Sequence, residues 1–309
     1  MRICITGANS FIGRPLVTRA LLLGWDVVAV VRNSDSISDI VRSFPKTEIV
    51  ELSLNEYDRL GDAVGKVDCA VLLAWNGTRG QTRMNEELQQ NNYAFNMAGL
   101  KGLIAKGCKR IVTAGSQAEY GLHNGMITED TECKPNTAYG KYKLRFYLEA
   151  YQYCRDNGVS LKEPRFFSLY GPGDYENTMI MSSVKAMLLN EQCNFTEATQ
   201  KWDYLYLDDA VEAVAELCYK ECPDGVYNFG SGDCRSLRAY IEEQREVLNS
   251  SSDLQFGAIP YGPAGKVSIH PSVDKLKREL DWAPRVSFSE GIMRIANVIL
   301  GKYSTAAGE

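Results

Sequence analysis

The chain has 309 residues, with 34 basic and 39 acidic side chains, a net charge of −5 and 45% hydrophobic residues. That length and apolar content build one large α/β domain, or one domain with a smaller lobe. The acidic balance, with no basic stripe, excludes nucleic acid as the main partner, and no apolar run reaches the ~18 residues that a membrane span needs.

Residues 2–6 (Arg-Ile-Cys-Ile-Thr) form a short apolar run suited to a buried parallel strand. Because that strand begins so early, the expectation is a cytoplasmic protein without a signal peptide. The run passes directly into Gly7-Ala8-Asn9-Ser10-Phe11-Ile12-Gly13 and a helical stretch over 15–23, and a second strand follows at 26–31. Gly7 permits a tight turn and Gly13 a close helix–strand contact. Backbone N–H groups from Asn9 through Ile12 then face a pyrophosphate at the helix N-terminus. Strand two ends in Arg32-Asn33-Ser34, with no acid among these residues to hold a free ribose. Arg32 offers a charge-assisted fork to a 2′-phosphate and Asn33 and Ser34 add donors, so NADP(H) is expected over NAD(H), with Arg14 as reinforcement.

Further strands are expected near 48–51, 68–74, 109–114 and 160–166, alternating with helices, which is the pattern of a doubly wound parallel sheet with helices on both faces. The strand near 109–114 runs into small residues and puts Ser116 at the carboxyl end of the sheet, where open α/β sheets bind ligands. On the next helix, capped by the polar residues after Pro135, Tyr139 and Lys143 lie four apart and share a face. A tyrosine phenol, with a pKa of about 10, is a weak proton donor at neutral pH. A fixed ammonium beside it stabilises the phenolate, and a drop of roughly three units takes about 4 kcal/mol. Ser116, Tyr139 and Lys143 are the candidate catalytic residues, with Tyr139 as general acid.

The nine cysteines are scattered without a Cys-x-x-Cys spacing, and His123 and His270 lack identifiable partners, so reduced structural thiols and no metal are expected. The expected division is a cofactor domain over 1–172 plus 203–232, a smaller substrate lobe over 173–202 plus 233–303, and a frayed tail over 304–309.

These motifs, in this order, resemble the extended short-chain dehydrogenase/reductases, the NAD(P)-dependent sugar-nucleotide epimerases, dehydratases and reductases. The resemblance covers nearly the whole chain, down to Leu280-Asp281-Trp282-Ala283-Pro284. Tyr170-Gly-Pro-Gly-Asp-Tyr-Glu-Asn177 and Phe256-Gly-Ala-Ile-Pro260 look most like CDP-abequose synthase and related 4-keto-6-deoxyhexose reductases. The resemblance implies that Leu73 and Ala74 end a strand near the adenosine, that Asn92 joins the cofactor site and that Lys143 binds the nicotinamide ribose. It also implies substrate contacts at Glu119, Tyr120, Asn177 and Arg235, and a homodimer through the helices near 84–107 and 137–157. Three positions depart from the family: Ser10 stands where members usually have glycine, and Trp202 and Gly262 stand where many have arginines that neutralise the substrate diphosphate. Lys201, Arg235 or Lys266 are alternatives for that charge, and Trp202 is a candidate for stacking on a base or sugar.

The implied activity is NADPH-dependent reduction of a nucleotide-linked 4-keto-6-deoxy sugar. A C4 epimerase that retains its cofactor uses the same Ser, Tyr and Lys. A non-catalytic NADP-sensing protein is opposed by the intact trio, and a dehydratase by Gln117 and Ala118 where an acidic pair is usual.

Overall fold

The computed structural model describes residues 1–37, 39–123, 125–262 and 265–306. Its strands are β1 (Arg2–Thr6), β2 (Asp26–Val31), β3 (Thr47–Glu51), β4 (Cys69–Leu72), β5 (Arg110–Thr113), β6 (Gly115–Ser116), β7 (Ser160–Phe166), β8 (Ser168–Tyr170), β9 (Cys193–Phe195), β10 (Lys201–Trp202), β11 (Tyr204–Tyr206), β12 (Gly225–Phe229), β13 (Arg235–Ser236) and β14 (Leu254–Phe256). Its helices are α1 (Gly13–Leu22), α2 (Asp39–Ser43), α3 (Leu60–Val64), α4 (Glu86–Ala105), α5 (Ala138–Asp156), α6 (Met179–Leu188), α7 (Leu207–Tyr219), α8 (Leu237–Val247), α9 (Asp274–Leu280) and α10 (Phe288–Ala306).

The main sheet runs β3-β2-β1-β4-β5-β7-β12, with β6 pairing to β7, and every pairing is parallel. This is the doubly wound order expected from the sequence. Strand order reverses between β1 and β4, and that switch point opens a crevice at the strands' carboxyl ends. Strands such as β4 are buried along their whole length because helices cover both faces. Leu16, Val17 and Ala20 of α1 pack on one face with Val211 and Val214 of α7. Leu60, Leu100, Leu103 and Phe146, from α3, α4 and α5, cover the other.

The smaller lobe holds three two-stranded pairings, β8 with β11, β9 with β14 and β10 with β13. Around them α6, α8 and α10 gather Tyr170, Tyr206, Tyr240, Phe288 and Ile292 into a second core. Three boundaries differ from expectation. Strands β8 and β11, both placed with the cofactor domain by sequence, pair with each other outside the main sheet. Helix α9, placed with the lobe, sends Leu276 and Leu280, with Trp282, into the main core. Helix α10 extends through 304–306 of the expected frayed tail, and 307–309 lie outside the described residues.

The nine cysteines are free, and no cluster of His, Cys, Asp or Glu able to hold a metal occurs among the described residues. No helix among them is long and apolar enough to cross a membrane.

Candidate active site

The crevice at the switch point is lined by Gly7, Asn9, Ser10, Arg32, Leu73 and Ala74, with Trp75 and Asn76 beyond them. Gly7 turns at a φ of 65°, and a Cβ on Gly13 would stand 2.2 Å from the Gly7 carbonyl oxygen, so α1 approaches the strand as closely as glycine allows. Ser10 stands where the family usually has glycine. Its Oγ accepts from the Gly13 N–H at 3.0 Å and so takes one amide of the helix start, while the Phe11 and Ile12 N–H groups keep no acceptor among the described residues. Those amides at the positive end of α1 suit a pyrophosphate.

At the end of β2 the exposed Arg32 forms no ion pair among the described residues. Its neighbours are already engaged. Asn33 Oδ1 accepts from the Asp35 N–H at 2.8 Å, and Ser34 N–H donates to Glu51 Oε2 at 3.0 Å. The Glu51 carboxyl is held below its ordinary range by the backbone and hydroxyl of Ser34. The expected absence of a competing acid is therefore corrected: one stands at the end of β3, beside Ser34, where a reading of strand two alone does not reach.

The crevice continues into a cleft of about 760 Å³ whose walls include Ser116, Tyr139 and Lys143. Ser116 begins a tight helical turn: its Oγ accepts from the Ala118 N–H at 3.2 Å, and its own N–H donates to Glu119 Oε1 at 2.7 Å. Thr137 caps α5 by accepting from the Gly140 N–H at 3.0 Å, which fixes the turn carrying Tyr139. Lys143 Nζ donates to the Ala114 carbonyl at 2.7 Å and lies 3.9 Å from the centroid of the Trp75 ring.

Burial pushes the Tyr139 phenol up to about 12, against a hydrogen bond from Ser116 and the nearby Arg83 charge, which pull it down. Burial also lowers the Lys143 ammonium to about 8, with Glu119 and Glu163 resisting. The sequence expectation that Lys143 depresses the Tyr139 pKa is thus corrected. The opposing pulls come from Ser116 and Arg83, and the lysine is turned toward Ala114 and Trp75. Tyr139 is a protonated donor at neutral pH.

Of the other candidates, Asn177 and Trp202 line the cleft, and the buried Trp202 Nε1 has no partner among the described residues. Four candidates lie elsewhere. Asn92 is buried and spends its amide on the Asn76 backbone, accepting from its N–H at 3.1 Å and donating to its carbonyl at 2.8 Å, so it shapes the loop after β4 and does not face the crevice. Glu119 and Tyr120 are fully buried, the first beside Arg165 and the second donating to Asn228 Oδ1 at 2.7 Å. Arg235 is spent on Asp233 and Glu243, at 3.1 and 2.5 Å, with its guanidinium over Tyr240.

Sequence reasoning missed Trp75, Arg79 and Arg83. All three line the cleft from the segment after β4. Arg79 pairs with Asp174 at 2.8 Å, whereas Arg83 has no carboxylate partner among the described residues and lies 4.9 Å over the Tyr139 ring. The available signal was position: residues just past the carboxyl end of a strand beside the switch point.

Residues 3–230 match the NAD dependent epimerase/dehydratase family. The chain belongs to that family. The chain shares the plan of the extended short-chain dehydrogenase/reductases, NAD(P)-dependent oxidoreductases and epimerases. The chain is 23% identical to Protein CapI of Staphylococcus aureus, over 98% of this chain and 99% of that one. It is also 23% identical to CDP-abequose synthase of Salmonella muenchen, over 96% and 97%. In fold it is similar to a UDP-glucose 4-epimerase of Thermotoga maritima, with a TM-score of 0.86, 19% identity and coverage of 98% and 100%. A UDP-glucuronic acid 4-epimerase from Bacillus cereus, in complex with UDP-glucuronic acid and NAD, gives 0.84 at 21% identity, over 98% and 100%.

Proposed function

We propose that the protein uses NADPH to reduce the keto group of a nucleotide-linked 4-keto-6-deoxy sugar. The reading is carried by the convergence of Ser116, Tyr139 and Lys143 on one wall of a cleft that opens from the dinucleotide crevice. The nicotinamide, when bound, supplies the hydride. Ser116 donates a hydrogen bond to the substrate carbonyl oxygen, acting on charge that grows in the transition state. Tyr139 hands its phenolic proton to the developing alkoxide, and Lys143 holds the nicotinamide ribose. Arg32, with Arg14, holds the 2′-phosphate. Arg83 and Arg79 supply the positive charge for the anionic part of the substrate that Trp202 and Gly262 do not, and Trp202 and Asn177 flank the nucleotide-sugar. The protein is cytoplasmic and pairs as a homodimer through α4 and α5, which pack on each other along the same side of the main sheet.

The deciding experiment incubates the protein with NADPH and CDP-, dTDP- and GDP-linked 4-keto-6-deoxyhexoses and follows loss of the nicotinamide absorbance. Consumption of none of them sinks the reductase reading. The second reading, a C4 epimerase with retained NAD, is favoured by Glu51, whose carboxylate beside Ser34 disfavours a 2′-phosphate. Tightly held NAD⁺ in the purified protein, with UDP-hexose interconversion, selects it.

A further inference from the structure

Beneath Ser116 lies a charge cluster that hydride and proton transfer leave unused. Glu119 accepts the Ser116 N–H through Oε1 at 2.7 Å, and its Oε2 is 3.0 Å from the Arg165 guanidinium. Arg165 Nε donates to Glu163 Oε1 at 3.0 Å. All three side chains are at most 2% exposed. The main chain is shaped around them: β6 and β7 pair Gly115 with Arg165 and Ser116 with Phe166. A Cβ on Gly115 would meet Glu163 Cγ at 2.7 Å and Arg165 Cγ at 2.9 Å, so the residue before Ser116 has no room for a side chain.

Burying three ionisable groups is an expensive way to fill a core, since apolar side chains of similar volume are often as stable or more so. Burial, then the neighbouring Glu119, pushes the Glu163 carboxyl well above the ordinary carboxylate range. Arg165 stands between the two acids, and Glu119 is the one that reaches on to Ser116. Its free end goes to the backbone of the one residue in this strand that faces the cleft with a hydroxyl.

We propose that Glu119, braced by Arg165 and Glu163, is a positioning residue that pins the Ser116 main chain so that the serine hydroxyl meets both the substrate carbonyl and Tyr139. This rests on the reading of Ser116 as the carbonyl-binding residue. Arg165 fixes the Glu119 rotamer and Glu163 fixes Arg165, so the chain of contacts ends at the serine. The carboxylates also face the other two catalytic groups, favouring the Lys143 ammonium and the protonated Tyr139.

The test compares Glu119→Gln, Glu119→Leu and Ser116→Ala in the full chain, with NADPH and whichever of the three nucleotide-linked 4-keto-6-deoxyhexoses is consumed. Folding is scored by NADPH titration and thermal melting. Glu119→Leu, which has no acceptor, is expected to lower kcat about 100-fold with KM and NADPH affinity within about threefold. Glu119→Gln, which keeps an oxygen for the Ser116 N–H, is expected to recover most of that rate. Wild-type kcat in Glu119→Leu overturns the proposal, as does an equal loss in the Gln and Leu variants that tracks their NADPH binding. If Glu119→Leu fails to fold, a Glu119→Gln variant that folds and binds NADPH normally yet is as slow as Ser116→Ala overturns it. Full activity in Ser116→Ala brings down the site assignment itself, a distinct outcome from an active Glu119→Leu beside an inactive Ser116→Ala.

Discussion

The Lys143 ammonium rests 3.9 Å from the centroid of the Trp75 indole, whose own N–H is tied to Gln89 Oε1 at 2.7 Å. A cation held over an aromatic face is favoured by roughly 0.5–1 kcal/mol when exposed and by about 2 kcal/mol when desolvated. Burial lowers the lysine to about 8 against Glu119 and Glu163, which favour its charged form, while the ring face and the Ala114 carbonyl hold the ammonium in place.

The sign of the resulting pH effect follows directly. With a folded value of about 8 against the usual 10.5, Lys143 loses its proton as pH rises through about 8, while Tyr139, at about 12, stays protonated. The reductive kcat/KM, which reports groups of the free enzyme, is expected to fall above about pH 8. Trp75→Leu should move that limb down by up to roughly one pH unit. A pH–rate series from 6 to 10 checks both, and a limb unmoved in the variant removes Trp75 from the account.

Lys143 should also cost stability. Between about pH 8 and 10.5 the unfolded chain holds this proton and the folded chain does not, so the burial penalty is present below pH 8 and relieved as pH rises. Lys143→Met is expected to melt higher than wild type at pH 7, with the advantage shrinking toward pH 10, while losing both activity and cofactor affinity. Melting curves at the two pH values decide it.

Tyr139→Phe removes only the proton donor. Turnover is expected to drop by about 10²–10⁴-fold with cofactor binding nearly intact. Near wild-type turnover of any accepted sugar would move the general acid elsewhere.

Arg32→Asp should shift preference from NADPH toward NADH. The charge-assisted hydrogen bond between this arginine and a 2′-phosphate is worth roughly 1.5–3 kcal/mol, a ten- to hundredfold change in the affinity ratio. Glu51→Gln should act in the opposite sense, since it removes the carboxylate beside Ser34. Titrating both cofactors against the three proteins tests the pair. Unchanged selectivity in Arg32→Asp directs attention to Arg14.

Arg83→Met takes a cation from beside Tyr139. If Arg83 meets the anionic part of the substrate, KM should rise by roughly ten- to hundredfold while NADPH affinity is unchanged. A normal KM would return that role to Lys201 or Lys266.

The features legible from sequence are those written by local spacing. The strand–turn–helix around Gly7 and Gly13 and the shared face of Tyr139 and Lys143 need only the period of one element. Direction across elements is what the sequence withheld. Asn92 sits on the right helix but points at the Asn76 backbone, and Glu119 stands three residues from Ser116 yet turns inward to Arg165. Glu51 reaches Ser34 from the neighbouring strand, which no reading of strand two contains. One signal was present and passed over: Lys162, Glu163 and Arg165 crowd a strand expected to be buried, and charges there need partners in the interior.

Helix α9 bears on how the molecule moves. The chain leaves the main body after β12, builds α8 and β14 of the lobe, returns to seat Leu276, Leu280 and Trp282 beneath the main sheet, and goes out again as α10. A lobe stitched down at both ends of that excursion has no single hinge about which to swing as a rigid body. Opening and closing of the cleft therefore falls to its rim, the segment carrying Arg79 and Arg83 and the one carrying Tyr175 and Asn177, which the Arg79–Asp174 ion pair already clasps together.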